Sequence, residues 1–154
     1  MPEKRTPIII GSDHAAYDLK EKVKVFLIER GIDVEDVGCH SEDSVDYPDF
    51  GIKVASMVSV GKFERGILMC GTGIGMSIVA NKFPHVRAAL CTDLFSSIMS
   101  KRHINSNILV LGARVVGDVL AVEIVKVWLE TPFEGGRHQR RLDKFDRIDT
   151  AMTD

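Results

Sequence analysis

The residues best equipped for chemistry are gathered in Cys70-Gly71-Thr72-Gly73-Ile74-Gly75-Met76-Ser77, where a thiol closes an apolar run and alternating glycines follow it. A cysteine in that setting can serve as a nucleophile or a general base, provided a positive dipole end or a cation favours its thiolate. The glycines expose successive backbone N–H groups at a strand-to-helix turn, which suits a phosphate, a carboxylate or a developing oxyanion. The pattern is not the dinucleotide fingerprint, which needs glycine where Met76 stands, nor a Walker loop, which needs a Gly-Lys-Ser/Thr ending. The plainer alternative is an ordinary buried cysteine in a tight turn.

Other polar residues gather around this one. Asp13-His14 directly follows a short apolar run. Asp13 can be a helix N-cap, but His14 beside it, at the sheet edge expected for Cys70, points to function. His103 lies at an expected helix end, where it can complement the helix dipole or, facing the strand ends, act as an acid or base. Arg137 and Arg141 are four apart and share a face if the tail is helical, a spacing that suits phosphate oxygens. Gly135-Gly136 lets this tail turn sharply toward a site, including one on another subunit. Cys91, inside an expected strand, reads as core, and Cys39 as a surface or loop thiol.

These residues need a scaffold, and the chain alternates short apolar runs with helical patterns along nearly its whole length. That is the signature of βαβ units winding a parallel sheet. Five strands are expected at 8–11, 32–37, 66–70, 87–91 and 108–111, with helices at 15–30, 50–60, 94–102 and 120–129. The last helix is apolar around most of its circumference and hints at a subunit interface. In such a sheet ligand chemistry sits at the carboxyl ends of the strands. Asp13, Asp46, Tyr47, Cys70, Thr72 and Asp93 all follow strands in this way.

Bulk properties narrow the classes. A length of 154 residues predicts a single domain, 1–154, and the stretch from about 131 reads as a tail. A net charge of −2 gives no bulk attraction to nucleic acid or to a membrane. The three cysteines lack any Cys-x-x-Cys spacing, which argues against a disulfide framework or a zinc site and favours the cytoplasm. The three isoleucines before Gly11 are too few for a signal-peptide core or a membrane span.

Taken together, Gly11-Ser12-Asp13-His14, Asp46-Tyr47-Pro48, the Cys70 loop, Ala80-Asn81-Lys82, Gly112-Ala113-Arg114-Val115-Val116-Gly117 and Glu134-Gly135-Gly136-Arg137-His138-Gln139 closely resemble the ribose-5-phosphate isomerases of type B. The resemblance implies an α/β, Rossmann-like three-layer sandwich with a five-stranded parallel sheet and a C-terminal helical tail. It implies a homodimer or dimer of dimers whose active sites are each built from two subunits, with the tail contacting a partner. No metal or organic cofactor is implied. The reaction it implies interconverts ribose 5-phosphate and ribulose 5-phosphate through an enediolate, with Cys70 as the base. Thr72 and the backbone at Gly71, Gly73 and Gly75 would stabilise the oxyanion, and Asp13 would serve the O1 and O2 protons. His103 would open the sugar ring, and His14, Arg114, Arg137 and Arg141 would hold phosphate. Tyr47 would wall the cleft, with Ser77 also lining the substrate site. The chain departs from the pattern at Ile104, where many members have asparagine. Asn105 is the nearest replacement, and a six-carbon aldose 6-phosphate is the alternative substrate. A non-catalytic sugar-phosphate-binding module is the alternative of a different class.

Overall fold

The computed structural model describes residues 6–151. Residues 1–5 and 152–154, which the single-domain expectation and the reading of the N-terminus include, lie outside the described residues. Five strands, β1 (Ile8–Ser12), β2 (Val34–Asp36), β3 (Arg65–Cys70), β4 (Ala88–Leu90) and β5 (Ile108–Gly112), form one sheet in the order β2-β1-β3-β5-β4. Every pairing is parallel. The helices are α1 (Tyr17–Glu29), α2 (Tyr47–Ser59), α3 (Ile74–Ala80), α4 (Leu94–Arg102), α5 (Asp118–Glu130) and α6 (Arg137–Ala151), with a 3-10 turn at His14–Ala16 ahead of α1.

The sheet divides two cores by side-chain alternation, since successive residues of a strand point to opposite faces. Ile8, Ile10, Ile67, Met69, Leu109 and Leu111 pack with Leu19, Val23 and Leu27 of α1 and with Ala121, Ile124, Val125 and Trp128 of α5. Ile9, Leu68, Cys70, Ile108 and Val110 pack with Val54, Ala55 and Val58 of α2 and with Met76 and Ala80 of α3. Strands β1, β3 and β5 are buried throughout, which is why they read as unbroken apolar runs.

Several expectations are corrected by these elements. Much of the apolar surface of α5 is used within the chain, where it packs against α1 and α4, while Val119 and Leu120 at its start stay exposed. Tyr47 is not a loop residue but opens α2, with Asp46 as N-cap and Pro48 in the first turn, where its missing N–H costs nothing. Helix α3 begins at Ile74, so Gly75 and Ser77 are helical. Cys39 lies in a loop, as expected, but is buried rather than at the surface: its sulfur sits 3.8 Å from Ser12 Oγ and reaches the Ser41 carbonyl at 3.3 Å.

Candidate active site

The neighbours of β1 leave it in opposite directions, β2 on one side and β3 on the other, so strand order reverses between β1 and β3. A crevice beyond the carboxyl ends of the strands forms at such a point. The register pairs Ser12 with Met69, so the residues that follow, Asp13 and Cys70, emerge side by side. The Asp13 N–H donates to the Met69 carbonyl at 3.2 Å.

Cys70 ends β3 and is 4% exposed. Its sulfur accepts the Gly73 N–H at 3.2 Å, an arrangement that suits a sulfur bearing negative charge. Gly73 takes φ +81°, in the left-handed region, and a side chain there would run into Leu90 and the Leu111 backbone. Thr72 Oγ1 accepts the Ile74 N–H at 3.2 Å, which leaves the hydroxyl proton free to donate. Gly112, paired with Cys70 across β3 and β5, lies against this loop. A Cβ on Gly112 would meet the Thr72 carbonyl carbon at 2.6 Å and its Cα at 3.0 Å. Gly112, the first residue of the Gly112-to-Gly117 motif, lets the loop close down on the end of β5.

Around the loop, Asp13 Oδ1 accepts the Ala16 N–H at 3.2 Å as a cap, leaving Oδ2 uncommitted. His14 Nδ1 accepts the Val45 N–H at 3.2 Å, so a neutral His14 carries its proton on Nε2. The Tyr47 ring lies on α3, where a Cβ at Gly75 would meet it at 2.5–2.8 Å. The Arg114 side chain runs along Gly71, 3.6 Å from the position of a Cβ there, and the Arg114 backbone N–H donates to the Gly71 carbonyl at 2.9 Å. Ser77 is committed elsewhere, since its hydroxyl donates to the Ile74 carbonyl at 2.7 Å within the helix. Asp93 caps α4, with both carboxylate oxygens taken by Ser96.

His103 is not on this edge. It caps the C-terminus of α4 and precedes β5, which places it at the amino ends of the strands. The five residues of β5 separate the two edges by roughly 13 Å at the usual rise per residue. Asn105, Arg137 and Arg141 lie at that second edge too. The His103 and His138 rings are stacked, with centroids 4.1 Å apart and planes 11° from parallel. Glu134 Oε2 approaches His103 Nε2 at 3.9 Å and His138 Nε2 at 3.5 Å. His138 Nε2 is buried and makes no hydrogen bond. Burial, then the charges of His103 and Arg137, hold the His138 imidazole below its ordinary pKa. Glu134 precedes α6, and the turn at Gly135–Gly136 brings it back over His138 in the first turn of that helix.

Asn81, another motif residue, has a structural role. Its amide donates to the Ala88 carbonyl at 3.0 Å and accepts the Ala88 N–H at 2.9 Å, closing the open edge of β4. Cys91 is core as expected, and burial pushes its thiol up to about 11.

The family model described as Ribose/Galactose Isomerase matches residues 8–145. The chain belongs to the ribose/galactose isomerase family. Ribose-5-phosphate isomerase B of Escherichia coli is 44% identical over 142 residues, covering 92% of this chain and 95% of that protein. A D-erythrulose-4-phosphate isomerase of Pectobacterium atrosepticum is 43% identical, covering 89% and 91%. The structure of ribose-5-phosphate isomerase B of Clostridium thermocellum superposes with a TM-score of 0.93 at 51% identity, covering 95% and 99% of the two chains. The expected fold, a five-stranded parallel sheet between helical layers, is the fold of this isomerase family. Among the described residues no helix is long and apolar enough to cross a membrane.

Proposed function

We propose that this protein interconverts D-ribose 5-phosphate and D-ribulose 5-phosphate, with Cys70 as the base that moves the proton between C2 and C1. The observation that carries the reading is the Cys70 sulfur at the strand-order reversal, held by the Gly73 N–H at 3.2 Å and next to Asp13. The thiolate takes the C2 proton of the open-chain aldose. The C–H electron pair forms the C1–C2 double bond, and O1 gathers the negative charge. The Thr72 hydroxyl and the N–H groups at 71–75 stabilise that oxyanion, and loss of one such donor typically costs about 2.7–4 kcal/mol. Asp13 Oδ2 exchanges the O1 and O2 protons, and the Cys70 thiol then returns its proton to C1. His14 and Arg114 face the phosphate, and Tyr47 walls the cleft.

His103, Arg137 and Arg141 complete this site from a second copy of the chain. What supports that reading is their place on the opposite edge of the sheet, out of reach of their own Cys70. His103 opens the furanose ring, and the two arginines bind phosphate. The chain works as one domain over 1–154, in a homodimer or dimer of dimers, with the stretch from 131 contacting the partner. The three cysteines are free thiols, which fits a reducing cytoplasm.

The deciding assay compares kcat/KM on ribose 5-phosphate, erythrulose 4-phosphate, allose 6-phosphate and galactose 6-phosphate. Ribose 5-phosphate is expected to be the best substrate, and a higher value for any other sugar would overturn the choice.

A further inference from the structure

Three cationic side chains line a depression on the amino edge of the sheet, bordered by Asn105. Arg65 opens β3, Arg87 precedes β4 and Lys101 lies in the last turn of α4. The strand order puts β3, β5 and β4 side by side, and the backbone ties the three starts together. Gly66 N–H donates to the Asn107 carbonyl at 2.9 Å, and Asn107 N–H to the Arg87 carbonyl at 3.1 Å. The three cations therefore line one open depression of about 480 Å³, with Ser59, Asn107 and the acidic Glu64 among its polar walls. That volume lies in the range of small-molecule sites.

None of these cations is held in a close ion pair. Among the described residues, none of the three has a carboxylate oxygen within 4.0 Å, although Glu64 lies near Arg65 and Asp146 near Arg87. Each is instead held by carbonyls. Arg65 donates from Nη2 to Thr6 O and Oγ1, Arg87 to the Asn105 and His85 carbonyls, and Lys101 to the Ser106 carbonyl at 3.3 Å. A guanidinium has five N–H donors and an ammonium three, so donors remain on all three groups. Carbonyls fix these side chains in position without neutralising them. The result is electrostatic crowding: burial, with Arg65 and Arg87 adding to it, pushes the Lys101 ammonium down to about 8. An arriving anion would relieve this repulsion and use the spare donors. Two guanidinium forks and a point charge suit a phosphoryl group, whose several oxygens and up to two negative charges can engage all three cations at once.

We propose that the depression between Arg65, Arg87 and Lys101 is a second anion site, for inorganic phosphate or the phosphoryl group of a small monoester. It lies away from the Cys70 edge, and His103 turns instead toward Glu134 and His138.

The test is calorimetric titration with inorganic phosphate and, separately, glycerol 3-phosphate, on the wild-type protein, an Arg65→Gln/Lys101→Gln double variant, and Arg141→Gln. Two binding events per chain are expected in the wild type. One should weaken at least about tenfold in the double variant and persist in Arg141→Gln. The tighter of the two probes identifies the source of the phosphoryl group. Trp128, the sole tryptophan, lies with its ring centroid 4.9 Å from Lys101 Nζ, so its emission should follow this event in Arg87→Gln as a weakened titration. A single wild-type event, no event, or two events unchanged in the double variant would overturn the proposal. Behaviour of the other event in Arg141→Gln bears only on the catalytic reading.

Discussion

The His103 imidazole lies flat against His138, ring centroids 4.1 Å apart, on the edge of the sheet opposite Cys70. His138 is buried, whereas His103 is half-exposed, so His138 is the surface against which His103, the proposed ring-opening group, is set. Replacing His138 with alanine removes that surface. A loss in kcat of about tenfold is expected, in line with the worth of an aromatic pair. His138→Phe, which keeps a ring in place, should retain most of the rate. Stopped-flow assays on ribose 5-phosphate distinguish the two outcomes.

The same histidine makes stability depend on pH. Burial and neighbouring positive charge depress its folded pKa below the unfolded value, so the unfolded chain binds more protons in between. Its contribution is present above about pH 6.5 and is lost as pH falls through the folded value. The wild-type Tm should therefore fall more between pH 7 and pH 5 than that of His138→Phe, and an NMR titration should place the His138 midpoint below 6.5.

Gly112→Ala forces the backbone of Thr72 away, because a Cβ would lie 2.6 Å from its carbonyl carbon. Backbone cannot rotate aside as a side chain can. A stability loss of about 1–3 kcal/mol is expected, with a larger relative loss of activity as the Gly73 N–H leaves the Cys70 sulfur. Denaturant unfolding and turnover, measured on one preparation, separate the two effects.

Lys20 is fully buried and is held by Asp36 Oδ2 at 2.6 Å and Glu21 Oε1 at 3.0 Å. Burial opposes ionisation of Asp36, but Lys20 and Lys24 outweigh it and keep the carboxyl below its usual range. Asp36→Asn leaves the Lys20 ammonium poorly compensated, and a loss of about 3 kcal/mol is expected by chemical denaturation. The Asp36 contribution is present above about pH 4 and is lost as pH falls through the depressed folded value, so the penalty of Asp36→Asn should shrink in acid.

Much of this was legible in the sequence because buried parallel strands are compact apolar runs. Strands β1, β3 and β5, the Cys70 loop and its neighbours Asp13, His14 and Tyr47 follow from that pattern and from the carboxyl-edge rule, whereas the edge strands β2 and β4 are only partly buried and came out shorter than expected. The boundaries that moved have local causes. Helix α3 includes Gly75, a poor helix former, because only glycine leaves room for the Tyr47 ring. Pro48 marks the start of α2 rather than a loop. His103 was legible as a residue but not as a location. A helix that returns to the start of the next strand carries its C-terminal residues to the amino edge, and periodicity alone does not say which copy's site they serve. Cys39 is buried through contacts with Ser12 and Ser41 that no spacing encodes.

Division of the site between subunits is tested by complementation. Cys70→Ala and Arg137→Ala should each be inactive alone, and their mixture should regain up to about a quarter of wild-type activity after subunit exchange, as random pairing of two complementary halves allows. Verified hybrids with no recovered activity would count against a shared site.

The most direct measurement is single-turnover isomerisation of ribose 5-phosphate by Cys70→Ala at saturating substrate, with binding measured separately by calorimetry. Loss of turnover by at least about a thousandfold, with affinity within a few fold of the wild type, is the expected result for removal of the base. Wild-type turnover in that variant would contradict the account.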